Sequence, residues 1–149
     1  MINFERILCP VDFSEYSRHA LQYACALTEK CGSELHLLHV MPDPAATLAT
    51  YGPIAGYLPA DWAESMQQRA TSQLSEIPEK TWAAGRKIVR ATNQGVAYVE
   101  IIQYVRDNGI QLIIIGTGTD RDHVILGSVT EKVVRKAPCP VLTIHPKDH

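Results

Sequence analysis

Apolar residues along this 149-residue chain follow two spacings that take turns. Apolar or largely apolar runs at residues 7–11, 35–40, 112–115 and 140–144, with a weaker one at 87–92, predict five strands. Between them, apolar residues recur at helical spacing. Ala20, Leu21, Ala24, Cys25, Leu27 and Cys31 predict a first helix, opened by Ser14 as N-cap and stopped by Gly32. Trp62, Met66, Ala70, Leu74 and Ile77 predict a second, ending near Pro78. Asn93-Gln94-Gly95 reads as a turn before a third helix (Tyr98, Ile101, Ile102, Val105) that closes at Asn108-Gly109. Val129, Val133, Val134 and Ala137 mark the inner face of a fourth. Segment 41–59, rich in Pro, Gly and Ala, is left as a long loop of the kind that forms lids or binding loops.

Strands alternating with helices of these lengths predict one α/β domain over residues 1–149, a parallel sheet with helices on both faces. The fourth strand lacks polar alternation, as expected of a strand covered on both sides. The fifth is flanked by Pro138 and Pro140, which belong near a sheet edge. An exposed edge pairs with another chain unless it is blunted. Two copies could therefore join across a two-fold axis, or the charged tail Lys147-Asp148 could shield the edge.

The chemistry concentrates after the fourth strand. Ile113-Ile114-Ile115-Gly116-Thr117-Gly118-Thr119 runs into a loop, and Gly127-Ser128 then opens the last helix. The first turn of a helix has unpaired N–H groups and a partial positive charge, which together bind anions such as phosphate. Glycine permits close approach, and serine adds a hydroxyl. In open parallel sheets the ligand crevice lies beyond the carboxyl ends of the strands, where the strand order reverses. If strands one and four are neighbours, Asp12 and the glycine loop share one site.

Composition excludes more than it proposes. A net charge of -2 leaves no footprint for nucleic acid or an anionic membrane. No apolar run reaches the roughly 20 residues that cross a bilayer. The first residues lack a signal-peptide layout, which points to the cytoplasm. Cys9, Cys25, Cys31 and Cys139 form no C-x-x-C pair and sit in apolar contexts, so buried free thiols are expected. The six histidines lack metal-ligand spacing; His36 and His39, three apart on a strand, point to opposite faces. No phosphate-binding loop ending in Gly-Lys-Ser/Thr is present, and no nucleophile-base set can be argued from residue order.

The residues quoted so far resemble the universal stress protein family over nearly the whole chain. The resemblance rests on residues 7–14, 37–40 and 112–117, and above all on the stretch from Gly127-Ser128-Val129-Thr130-Glu131-Lys132 through Pro138-Cys139-Pro140-Val141-Leu142. It implies strand order 3-2-1-4-5, a Rossmann-like fold of the adenine nucleotide alpha hydrolase type, and a homodimer through the last strand, residues 140–145. It also implies a cytoplasmic role in stress survival rather than in one metabolic reaction.

One branch of that family binds ATP through a loop patterned G-x2-G-x9-G-[S/T]; the other lacks the pattern and binds no nucleotide. Gly116 matches the first glycine and Gly127-Ser128 the last pair. Thr119 replaces the second glycine, with Gly118 beside it, and the loop is about two residues short. A shorter loop offers fewer N–H donors to phosphates. Within it Asp120 and Asp122 repel phosphate, Arg121 and His123 attract it, and a metal ion would reverse the carboxylate effect. The resemblance implies a site formed by Pro10 and Val11 at the base, Asp12 on the adenosine portion and Val40 in the adenine pocket. Gly116, Gly118, Thr119, Gly127, Ser128, Val129 and Thr130 would surround the phosphates. Each has a plainer reading: Asp12 as a helix cap, Val40 as core, Gly116 as a tight turn, Gly127-Ser128 as an ordinary helix start. Lys132, Arg135 and Lys136 read as dipole complement and solvated face. The expected ligand is ATP or another adenine nucleotide, with Mg2+ as companion, acting as a regulatory signal; no general base argues for more than slow hydrolysis. The rival reading is a nucleotide-free, dimeric protein-interaction module, and an enzyme on the same fold is the third.

Overall fold

The computed structural model describes residues 1–43, 45, 52, 59–120 and 123–146; for 119, 120 and 123–125 the description is of the main chain. Strands β1 (Arg6–Pro10), β2 (Glu34–Met41), β3 (Ile88–Gln94), β4 (Leu112–Gly116) and β7 (Val141–Ile144) form one parallel sheet in the order β3-β2-β1-β4-β7. This is the 3-2-1-4-5 order expected of the family, with β1 and β4 side by side. Helices α1 (Glu15–Cys31), α2 (Trp62–Ser75), α3 (Lys80–Ala83), α4 (Ala97–Asn108) and α5 (Ser128–Lys136) connect the strands. Strands β5 (Gly118–Asp120) and β6 (His123–Ile125) form a separate antiparallel hairpin.

The sheet is buried on both sides, so successive residues of one strand serve two different cores. Ile7, Cys9, Leu35, Leu37, Leu112 and Ile114 pack under α1 and the end of α2, against Ala20, Leu21, Ala24 and Leu74. Leu8, Leu38, Ile113 and Ile115 face the other way, onto Ile101, Tyr104 and Val105 of α4 and Val133 of α5. The uninterrupted apolar runs are the direct result. Ser14 caps α1 by accepting from the Ser17 N–H at 3.2 Å. Gly32 and Gly109 end α1 and α4 at φ 64° and 61°, in the left-handed conformation that glycine adopts without cost.

Several expectations are corrected. Asn93 and Gln94 are not turn residues; they extend β3 alongside Val40 and Met41, and the chain reverses only at Gly95. The second helix stops at Ser75, and the short α3 follows Pro78. The loop after β4 contains a hairpin. Met41 belongs to β2; most of the segment 41–59, and the tail Lys147-Asp148, lie outside the described residues. Of the cysteines, all free, only Cys9 is fully buried, and burial drives its thiol pKa far above the ordinary range. The Cys25 thiol is pushed up to about 11 by burial, so at neutral pH both are protonated and unreactive.

A polar cluster lies at the opposite end of the sheet from the carboxyl ends. The buried His36 ring bonds Glu34 through Nε2 at 2.7 Å and the Tyr104 hydroxyl through Nδ1 at 2.7 Å. Glu34, held ionised below its ordinary range first by the Lys87 ammonium, can only accept, so Nε2 carries the proton and Nδ1 accepts from Tyr104. Burial, opposed by Glu34, lowers the His36 pKa. The unfolded chain therefore binds the imidazole proton more readily than the folded one. Stability from this group is complete above about pH 6.5, the unfolded value. It declines as pH falls below that and through the folded pKa. Thermal unfolding followed from pH 7.5 to 5 is expected to give a falling Tm, with a smaller slope in His36→Gln.

Candidate functional site

Beyond the carboxyl ends of β1 and β4 the chain departs in opposite directions, to α1 on one face and through the hairpin to α5 on the other. The divergence opens a cleft of about 370 Å³. Pro10 and Val11 form its base, and Leu38, Val40, Ala97, Ile101 and Ile115 give it an apolar wall. Asp12, Ser14, Tyr16 and Ser17 line the α1 side. Thr117, Gly118, Gly127, Ser128, Val129 and Thr130 line the other. The cleft thus gathers ten of the eleven residues expected from the sequence. The eleventh, Thr119, has its main chain in β5 opposite Val124, and its side chain lies outside the described residues.

Asp12 is placed by a strained turn. Phe13 has φ 64°, a left-handed conformation that costs a side-chain-bearing residue about 1–2 kcal/mol. The Phe13 ring rests on His39 with centroids 4.6 Å apart, and His39 Nδ1–H donates to the Val11 carbonyl at 2.8 Å. This clamp holds Asp12 at the mouth, where Oδ1 accepts from the Ser14 N–H at 2.9 Å and from the Ser14 hydroxyl. Partial burial works against ionisation, but these bonds, with the Ser17 hydroxyl, outweigh it and hold the carboxyl below its usual range. Asp12 is a carboxylate at any physiological pH. The helix cap is Ser14; Asp12 orients it while facing the cleft.

The two glycines of the loop do different work. A Cβ on Gly116 would lie 2.6 Å from the Tyr16 carbonyl oxygen, so Gly116 lets the first turn of α1 cross the end of β4. It is a packing glycine. Nothing lies within 4 Å of a Cβ built on Gly127. Gly127 is the N-cap of α5 and supplies no side-chain cap; the first helical bond runs from Glu131 N–H to its carbonyl. The N–H groups of Ser128, Val129 and Thr130 precede that bond, and all three residues line the cleft. The buried Thr130 hydroxyl donates to the Gly116 carbonyl at 3.0 Å and fixes the start of α5 to the end of β4. Buried Thr117 ties the same point to β7: its N–H donates to the Ile144 carbonyl at 2.9 Å, and its hydroxyl lies 3.1 Å from His145 Nδ1.

Between these glycines, Gly118, Thr119 and Asp120 pair with Ile125, Val124 and His123. Lys132 and Lys136 lie 4.9 and 5.0 Å over the Tyr98 ring, and Arg135 pairs with Glu131, so the cations of α5 point away from the cleft. Among the described residues no group of three His, Cys, Asp or Glu could hold a metal ion, and Asp12 is the one carboxylate on the cleft lining. A divalent ion would have to arrive with the oxygens of a ligand. Sequence reasoning missed Ser14 as a lining residue, Tyr16, Ser17, Leu38, Ala97, Ile101, Ile115 and Thr117. Seven of them lie in, or cap, elements that it did find, and Thr117 directly follows β4; only packing turns them toward the cleft.

The universal stress protein family model matches residues 3–145. The chain belongs to this family. Among curated relatives, the universal stress protein MJ0577 of Methanocaldococcus jannaschii is 26% identical, with 99% of this chain and 98% of that protein covered. Its solved structure superposes with a TM-score of 0.80, covering 99% of this chain and 100% of that one. Two more distant family structures share the fold. One, a universal stress protein in complex with cAMP, is 18% identical, covers 98% and 100% of the two chains and has a TM-score of 0.71. The other, from Archaeoglobus fulgidus in complex with dAMP, is 19% identical, covers 96% and 98% and has a TM-score of 0.62.

In this universal stress protein the contact at Gly116 has a measurable consequence. Gly116→Ala forces a methyl group against main chain rather than against a flexible side chain. Chemical denaturation is expected to report a loss of about 1–3 kcal/mol or more.

Proposed function

We propose that this universal stress protein binds an adenine nucleotide in the β1/β4 cleft and uses it as a regulatory ligand, in the cytoplasm. The observation that carries the reading is the N-terminus of α5. An N-cap without a side chain leaves the helix start unsatisfied, directly beside an apolar wall. A base fits against Val40, Leu38 and Ile101, sugar hydroxyls can donate to the ionised Asp12, and a phosphoryl group meets the Ser128 hydroxyl and the first-turn amides. Family members in complex with cAMP and dAMP support the same ligand class. ATP is the form that the resemblance implies for one branch of the family, with Mg2+ as companion, and the described lining residues offer contacts to its adenosine portion and to a phosphoryl group at the start of α5. Among the described lining residues the one carboxylate, Asp12, is held by Ser14, and the role proposed for the nucleotide is occupancy. Among the described residues no helix is long and apolar enough to cross a membrane.

The test exploits Gly127. In Gly127→Asp the new carboxylate can cap α5 itself, as aspartate does at helix N-termini. It would then hold the donors a phosphate needs and repel phosphate as well. Calorimetry is expected to register nucleotide binding in the natural protein and none in the variant, while the variant's Tm is unchanged or a little higher. Absence of heat and of thermal shift with millimolar nucleotide in the natural protein would end the reading.

Assembly is part of the same proposal. Strand β7 lies at the edge of the sheet with Leu142 39% exposed, and Val129 and Val134 nearby in sequence are also exposed. Two copies paired along residues 140–145 would cover this edge. Sedimentation is expected to give twice the chain mass for the natural protein and a monomer for Leu142→Asp; a monomeric natural protein would remove the homodimer.

A further inference from the structure

Glu34, His36, Leu38 and Val40 alternate along β2 and share one face of the sheet. Ala97, Ile101 and Tyr104 share the face of α4 that packs on it. One end of this interface is the cleft wall of Leu38, Val40, Ala97 and Ile101. The other end is the hydrogen bond between His36 and Tyr104. Leu38, Ile101 and Tyr104 belong to one packed cluster that joins the two ends. Both ends therefore depend on how α4 lies on β2.

Four elements bring polar or charged groups to His36. β1 brings Arg6, with Nε 4.0 Å from Glu34, and Lys87, just before β3, brings its ammonium to 2.8 Å from the same carboxylate. β2 supplies Glu34 itself, and α4 supplies the Tyr104 hydroxyl. The neutral imidazole suits this setting, since it donates to Glu34 and accepts from Tyr104. A proton on Nδ1 changes both relations. It makes His36 the third cation on one carboxylate. It also sets Nδ1–H against the Tyr104 O–H, so the hydroxyl must turn and accept. Among the described residues His36 is the only hydrogen-bond partner of that hydroxyl, so its own proton then loses its acceptor. A buried donor without a partner is costly, and displacing the Tyr104 side chain relieves it. In a close-packed cluster that displacement carries α4 with it, and so Ile101 and Ala97.

From this shared interface we infer that the cleft is coupled to a proton: protonation of His36 loosens α4 from β2 and weakens binding of a ligand against Leu38, Val40 and Ile101. The inference rests on the nucleotide reading of the cleft and adds its regulation. Linkage makes the effect reciprocal, so a bound ligand holds α4 in place and resists protonation of His36. Affinity is greatest where the imidazole is neutral and declines as pH falls through its folded pKa.

The experiment is calorimetric titration of the full chain with cAMP from about pH 8 to about pH 5. The charge of this phosphodiester is constant over the range, and Asp12 stays ionised throughout. Affinity is expected to fall roughly fivefold or more from the top of the range to the bottom. His36→Gln keeps a donor for Glu34 and an acceptor for Tyr104 but does not titrate, and in it the fall should vanish. That separates His36 from His39 and His145, which bond to the cleft residues Val11 and Thr117. NMR titration of His36 in the natural protein needs no variant and should give a lower imidazole pKa with saturating cAMP than without it. An affinity that does not change with pH, an equal fall in His36→Gln, or an imidazole pKa indifferent to cAMP each overturns the inference and leaves the nucleotide reading intact. No heat with cAMP overturns it as well, and no heat with AMP besides removes both.

Discussion

Burial of β1 and β4 on both faces is the constraint from which the rest of the molecule follows. Ile7 and Ile114 enter one core while Leu8 and Ile113 enter the other, and all four are fully buried. A strand in that position must be covered by helices above and below, and its backbone must pair on both edges. The chain leaving β1 therefore goes to one side and the chain leaving β4 to the other. No compact arrangement of those two exits closes the space between them, and the cleft is that space.

Holding the two exits close together stores local strain and forbids certain side chains. Phe13 takes a left-handed conformation so that Asp12 can face the cleft while Ser14 caps α1. Gly116 omits a side chain because the Tyr16 carbonyl occupies its place. Thr130 and Thr117 spend their hydroxyls on anchoring the end of β4 to α5 and β7. Deviations from good local structure gather at this end of the sheet, where a ligand would bind, and the regular interior is spared. The bare N-cap of α5 is of the same kind: it forgoes a capping bond of about 1 kcal/mol and leaves the first-turn amides without a side-chain cap.

The loop after β4 brings the two uses of a backbone amide into competition. An amide paired in a ladder cannot also meet an anion. Family membership follows from the match over residues 3–145. Sheet order alone does not say what a cleft accepts; the groups that line it do.

Much of this was legible in the chain. The apolar runs and helical spacings located the five sheet strands and the four long helices, because two-sided burial and amphipathic burial each leave their own period in the sequence. The family resemblance supplied the strand order and, with it, ten of the cleft residues. Tertiary structure alone decided the rest. Gly116 reads in sequence as a residue for ligand approach, and only the crossing of α1 over β4 makes it a packing residue. Ile101 reads as core, since nothing in a helical period tells a face that meets the sheet from one that meets a cleft. The pairing of Gly118–Asp120 with His123–Ile125 was hidden because three-residue strands carry too little period to register. Sequence determined which segments are buried and in what order they run; the close passage of non-consecutive elements decided which atoms stay unpaired, since that depends on distances no local pattern encodes.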